Sequence, residues 1–249
     1  MNWFKRTFFV LIIIFSFLFC KKTEERPCFK SSGKIVNKTV YLGDFTALNL
    51  YQNIDYELVR DSLNYIDISC GENLYPFISF SVSDSALTIK NNNKCRFLRG
   101  YDKNVIAKIH IRELSNIYYE GTENLFSIDT ISANYCTIMV RNSGGNLELK
   151  IKSKELYINK TNATGRLLLS GTTNKAKFTN HSFNTFDVTK LIIRDSVNFL
   201  NQGFGNMYIN TSGIDVLGRI ESDGNVFYKG IPALFNVQEF GKGKFLNLE

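Results

Sequence analysis

Residues 222–234 read SDGNVFYKGIPAL, and the alternation of turn and strand within these thirteen positions decides the fold. Ser222-Asp223-Gly224-Asn225 has the composition of a corner, Val226-Phe227-Tyr228 that of a short strand, and Lys229-Gly230 begins the next corner. Glycine and asparagine suit such corners because they tolerate the left-handed backbone angles that a sharp change of direction demands. Pro232, which has no backbone donor, reads as the residue that blunts the open edge of a last coil.

Weaker copies of this pattern recur upstream. Gly121, Asn142, Asn162, Ser182, Gly203 and Gly224 follow one another at intervals of 20 or 21 residues. Each precedes an apolar strand start, at Leu125, Leu147, Leu167, Phe186, Met207 and Val226. An even period of this length suits a β-solenoid, in which each coil wraps once around the axis and stacks its inward side chains on the coil below. Asparagine amides can form ladders between such coils. A β-sandwich or barrel is the alternative, since its strands also arrive every 8–12 residues or so. The regular doubled spacing favours the solenoid from about residue 114 to the end, with segments such as FTALNLY, YIDIS, FISFSV and ALTIK forming strands ahead of it. No stretch after the leader carries an apolar stripe at helical spacing.

The composition agrees. The chain has 249 residues, 44% of them hydrophobic and 14% aromatic, which excludes a disordered chain. The formal charge of +7 includes Lys5 and Arg6, and the other basic residues are dispersed; Lys150, Lys152 and Lys154 come nearest to a run. There is no basic arm or basic–aromatic alternation, so nucleic-acid binding has little support.

The first twenty residues, MNWFKRTFFVLIIIFSFLFC, form an address. Two basic residues precede an apolar run from Phe8 to Phe19, too short to span a bilayer comfortably but suited to a secretory signal. The run ends at Cys20 and gives way to KKTEERP, the pattern of a bacterial lipoprotein whose cysteine thiol carries diacylglycerol. Phe19 departs from the small residue usual before that cysteine. The expected organisation is a signal peptide over residues 1–19, a tether over 20–34 and one domain over 35–249. An outer-membrane lipoprotein facing the periplasm or the exterior follows from that reading, with the membrane as its first partner.

Four cysteines remain: Cys28, Cys70, Cys95 and Cys136. None is at C-x-x-C spacing, so no zinc or other metal site is expected. Cys70 and Cys95 flank the same hairpin region and are the candidate disulfide of an exported protein. Cys136, in the apolar stretch NYCTIMV, reads as readily as a buried thiol.

With these residues in view, GNVFYKGIPAL followed by FGKGKF resembles the C-terminal signature of the auto-transporter adhesin family known as the head GIN domain. FTALNLYQNIDYELV and LTIKNN resemble its opening hairpins, and VIAKIHIRELSNIYYEGTENL its central segment. The resemblance covers residues 35–249. It implies a right-handed parallel β-helix-like solenoid in an exported protein of the kind common in Bacteroidota. It implies no catalytic residues and no cofactor, and its adhesin label is a fold analogy.

The chain carries none of the fingerprints G-x-S-x-G, H-E-x-x-H, P-loop or dinucleotide site. Parallel β-helices can host lyases and glycosidases, which cluster carboxylates on one face. Asp195 and Asp215, with Asp223, Arg194 and Arg219, are the candidates for such a strip. His110 and His181 lack a carboxylate partner at a recognisable spacing and read as structural or exposed. Among the aromatics near coil strands are Tyr118, Tyr119, Tyr157, Tyr208, Phe227 and Tyr228. Those that face outward could stack sugar rings, and Tyr118, Tyr208 and Tyr228 are the candidate ligand-binding residues. Asp61-Ser62-Leu63, Asp84-Ser85-Ala86, Asp129-Thr130-Ile131 and Asp195-Ser196-Val197 resemble O-glycan acceptor sites, and are equally ordinary turn chemistry. The expected function is non-catalytic binding of a glycan, an envelope polymer or a protein. A carbohydrate-active enzyme and a purely structural envelope protein are the alternatives.

Overall fold

The computed structural model describes residues 30–94 and 104–248. Among them the chain forms one 20-stranded sheet wound into a parallel β-solenoid of about seven turns, with a single 3-10 turn at Tyr75–Phe77. The first seven strands are β1 (Ile35–Val40), β2 (Ala47–Tyr51), β3 (Asp55–Arg60), β4 (Tyr65–Gly71), β5 (Ile78–Ser83), β6 (Ala86–Asn91) and β7 (Ile106–Ile111). The winding then proceeds through β8 (Asn116–Glu120), β9 (Leu125–Ser127), β10 (Ile131–Ser132), β11 (Tyr135–Arg141), β12 (Leu147–Lys152) and β13 (Glu155–Thr161). It continues through β14 (Leu167–His181), β15 (Phe186–Asn201), β16 (Met207–Asn210), β17 (Asp215–Ile220), β18 (Val226–Lys229), β19 (Leu234–Glu239) and β20 (Phe245–Asn247).

Two faces result. The front face stacks β8, β11, β13, the second halves of β14 and β15, β17 and β19; the back face stacks β9, β12, the first halves of β14 and β15, β16, β18 and β20. Because side chains alternate along a strand, every second residue points into the space between the faces. Register then stacks like on like. Leu125, Leu147, Leu167, Phe186, Met207 and Val226 form one buried back column. Ile117, Ile138, Ile158, Phe178 and Phe199 form the facing front column. The next front position is Gly218, where a Cβ would meet the Phe199 ring at 2.1 Å, so the ring occupies the space a side chain would take.

Gly121, Asn142, Asn162, Ser182 and Gly203 fall at one corner, as their spacing predicts, and Asn142 and Asn162 adopt φ of 45° and 50° there. Gly224 departs from that column. The last turns shorten, so that Met207 pairs with Val226 and Val226 with Phe245, which puts Ser222 over Gly203's position and Gly224 against the carbonyls of Gly203 and Gly205. Asparagine ladders bind turn to turn. The Asn146 and Arg166 amides donate to the side-chain oxygens of Asn124 and Asn146, at 3.3 and 3.0 Å, and those of Asn225 and Lys244 donate to Asn206 and Asn225, at 3.0 and 2.8 Å. Pro232 does not blunt the end of the stack. It lies between β18 and β19, and another strand of each face follows it, so the open edges are β19 and β20.

One core position is unexpected. Lys160 is 1% exposed and points inward, where its ammonium donates to the carbonyls of Asn184 and Thr185 at 3.1 and 3.2 Å. Burial pushes its pKa down to about 8. Asn180 and Asn201 follow it in the same column, the Asn180 amide donating to Asn201 at 2.8 Å.

The N-terminal strands do more than lead into the solenoid. β2 and β3 form a coil sandwiched between β6/β7 on one side and β8/β9 on the other. Antiparallel strands then close that end, β4 and β1 flanking β7 on the back face and β5 flanking β6 on the front. The β5–β6 hairpin turns through Asp84 and Ser85, both at positive φ, the geometry that matches the twist of an antiparallel pair.

Candidate functional site

The outward positions form columns as regular as the core. On the back face Phe126, Glu148, Leu168, Asp187, Tyr208, Phe227 and Leu246 succeed one another. On the front face Tyr135, Glu155, Lys175, Ser196 and Asp215 form one column, and Thr137, Tyr157, Lys177 and Asn198 the next. These long, solvent-facing surfaces are where a ligand could be held.

The three tyrosines singled out from sequence sit in different settings. Tyr118 faces outward on β8, half-buried, and donates to the Glu120 carboxylate at 2.7 Å. That hydrogen bond, aided by partial burial, pushes its pKa up to about 12. Tyr208 faces outward on β16 with its ring stacked on Phe227 at 5.1 Å and 13°. Tyr228 pairs in register with the buried Ile209, points inward and stacks on Phe245 at 4.3 Å, so it serves the core. Tyr119 is fully buried. The front face carries two further outward tyrosines: Tyr135 is 65% exposed, and Tyr157 is half-buried with Lys177 held 5.7 Å from its ring centre.

The carboxylate strip does not assemble. Asp215 pairs with Ser196 rather than Asp195, and Arg219, four residues further along β17, is bound to Glu221 at 2.6 Å and lies against the Phe240 ring. Among the described residues no group of three or more His, Cys, Asp or Glu side chains is arranged to hold a metal ion.

His110 has what its sequence spacing hid. Its Nδ1 lies 3.0 Å from Asp61 and its Nε2 3.4 Å from Asp67, the second contact too oblique for a hydrogen bond. The Tyr65 ring stacks on it at 3.9 Å and donates through its hydroxyl to Asp61. The hydrogen bond from His110, followed by that from the Ser62 amide, lowers the Asp61 pKa to about 2. The carboxylates come from the β3–β4 turn and from β4, brought beside β7 by antiparallel pairing that no local pattern announces. The cluster clamps the N-terminal cap, and no nucleophilic hydroxyl or thiol points at the free ring nitrogen among the described residues.

Cys70 and Cys136 are buried thiols, and burial pushes Cys136 up to about 12. Cys20, Cys28 and Cys95 lie outside the described residues. Of the O-glycan-like acceptors, Ser62, Ser85 and Thr130 are exposed and Ser196 is half-buried. No helix among the described residues is long and apolar enough to cross a membrane.

Against known proteins, the family described as "Putative auto-transporter adhesin, head GIN domain" matches residues 44–232. A "putative adhesin" from Bacteroides fragilis superposes with a TM-score of 0.79 at 17% identity, covering 86% of this chain and 97% of its own. A "Putative lipid binding protein" from Parabacteroides distasonis gives 0.59 at 15% identity, covering 88% and 98%. A "putative adhesin" from Parabacteroides merdae gives 0.52 at 20%, with the same coverage. At these identities the likeness speaks to the fold. No curated protein matches the sequence significantly.

Proposed function

The chain belongs to the head GIN domain family of auto-transporter adhesins, and from that premise we propose that it is a non-catalytic adhesion module of the cell envelope. In this reading the thiol of Cys20 carries the lipid anchor, and the long outer faces bind a polymer, a glycan in the first place. The observation that carries it is the form of the surface. Outward side chains repeat at the strand spacing of roughly 4.8 Å along both faces, while the candidate catalytic side chains do not converge. A repeating surface matches a repeating ligand, and several weak contacts in a row add up to useful adhesion.

Two experiments test this reading. Cys20→Ser is expected to release the protein from the membrane fraction or leave an unprocessed precursor; a variant that fractionates like the parent removes the anchor. Purified domain passed over immobilised polysaccharides is expected to be retained without releasing reducing ends. Retention by none of them, or turnover that Asp195→Asn or Asp215→Asn abolishes, overturns the binding reading.

One observation favours a second reading, a structural stacking role. Ile231, Leu234, Phe235 and Phe240 are all more than 60% exposed at the open β19/β20 end, and an apolar unpaired edge invites pairing with a second copy. Sedimentation at rising concentration, with Phe235→Lys as control, tests it.

A further inference from the structure

The front face holds a groove of about 490 Å³ across β11, β13 and the second halves of β14 and β15. It arises because long side chains (Tyr135, Tyr157, Lys175 and Lys177) stand beside the short Thr137 and Ser196 on neighbouring strands. Resting on the binding function proposed above, we propose that this groove is the ligand site and that its ligand is an acidic polysaccharide, a uronate chain, laid across successive coils.

Three features argue for that chemistry. The first is the ring surface. Tyr135 stands at one end of the groove, 65% exposed, with no aromatic neighbour among the described residues covering either ring face. An apolar ring with a polar tip suits the face of a sugar, whereas Tyr208 already spends one face on Phe227 and Tyr228 is turned inward. The second is charge. Lys175 and Lys177 lie two residues apart on one strand and so project from the same face, roughly 7 Å apart. Lys154 stands at the adjoining corner, its amide hydrogen-bonded to the Asn134 carbonyl. None of the three forms an ion pair among the described residues, although Glu155 is the register partner of Lys175. Among the lining residues two lysines against one carboxylate leave the groove positive, and their ammonium groups, held in no ion pair, can meet carboxylates along a polymer. The third is order before binding. The Tyr157 hydroxyl accepts from Asn159 at 3.3 Å, and its ring in turn holds Lys177 over it. A cation fixed in place loses less freedom on meeting an anion. Glu155 and Asn198 remain as partners for sugar hydroxyls.

The test uses the mature full-length chain in solution with soluble polygalacturonate, neutral dextran and poly-L-glutamate as probes. The expected result is that polygalacturonate binds, dextran does not, and affinity falls as salt rises from low to physiological strength. Lys175→Gln with Lys177→Gln is expected to weaken polygalacturonate at least tenfold, and Tyr135→Ala severalfold, while Tyr208→Ala stays within twofold of the parent. Both groove substitutions fall on exposed side chains, so the melting temperature should hold; the salt titration on the unmutated chain probes the charge contribution without any variant. Binding of dextran equal to that of polygalacturonate, or unchanged binding by the groove variants, overturns the proposal while leaving the adhesion reading standing. Equal binding of poly-L-glutamate that ignores Tyr135→Ala also overturns it, in favour of an acidic protein partner. Retention of no polysaccharide at all removes both.

Discussion

The stack from residue 116 onward and the cap formed by residues 30–94 and 104–111 are built from the same kind of strands, yet they are held together differently. In the stack each turn lies on the one before it in sequence, so the register carries from turn to turn and most inward positions form apolar columns. In the cap the order in space departs from the order in sequence, with β2 between β6 and β8, and closure comes from antiparallel strands and a polar clamp at His110. A repeating stack generates surface; a cap stops it. The N-terminal end is therefore closed by paired strands, while the C-terminal end shows unpaired β19 and β20 and exposed Leu234, Phe235 and Phe240.

The largest expected effect is in the stack. Phe199 is 1% exposed and packs where Gly218 leaves room, so Phe199→Ala should cost about 3–5 kcal/mol in chemical denaturation. Gly218→Ala should also destabilise, by about 1–3 kcal/mol, and Phe199→Leu in the same chain should recover part of that loss. If the two changes simply add, the ring and the glycine are not sharing one space.

Next in size is a tie within the cap, at the end of β7 where the chain leaves for the stack. The buried Asn64 side chain donates to the Phe45 carbonyl and accepts from the Arg112 amide. Asn64→Ala leaves both groups unpaired and should cost about 1–3 kcal/mol. Amide exchange should rise around β2, β4 and β7 and stay unchanged beyond β11; a uniform rise would mean that the two regions open as one.

The regions should also differ in their response to pH. Lys160 belongs to the stack, with a folded pKa of about 8 against an ordinary 10.5. Between those values the unfolded chain holds a proton that the folded chain does not, so stability rises with pH across the window and the full cost of the buried charge applies below it. Asp61 belongs to the cap, with a folded pKa of about 2 against an ordinary 3.8. Its contribution is present above about pH 4 and is lost as pH falls toward 2. Lys160→Met should flatten the alkaline slope alone, and Asp61→Asn the acid slope alone. Crossed effects would contradict the separation. The smallest change should come from Tyr208→Ala, about 0.5–1.5 kcal/mol for the loss of its outward stack on Phe227.

The same contrast explains what could be read in the sequence. The period of the stack was visible because Asn142, Asn162 and Gly203 mark one corner and their neighbours repeat. The shortening that moves Gly224 off that corner was not visible, since corner length can change without disturbing the strand pattern. Tyr228 alternates like an outward residue if its strand is entered one position late, and only its pairing with Ile209 turns it inward. His110 met its carboxylates, 49 and 43 residues away in sequence, through antiparallel pairing that leaves no local trace. Lys160 sits at an inward position of a legible strand, but a lysine there gives no sign that distant carbonyls will receive it. Tyr135 lies at the start of its strand beside a corner, with Glu155 as its register partner, and its 65% exposure is a property of that place in the stack rather than of the local pattern.

The central claim is that the regular stack is the working surface and the cap only closes it. Amide hydrogen exchange on the full chain, with and without polygalacturonate, tests that most directly. Added protection confined to residues 135–137, 155–157, 175–177 and 196–198 is the predicted result. Protection centred on residues 30–94 and 104–111, or on 207–208 and 226–227 of the back face, would contradict it.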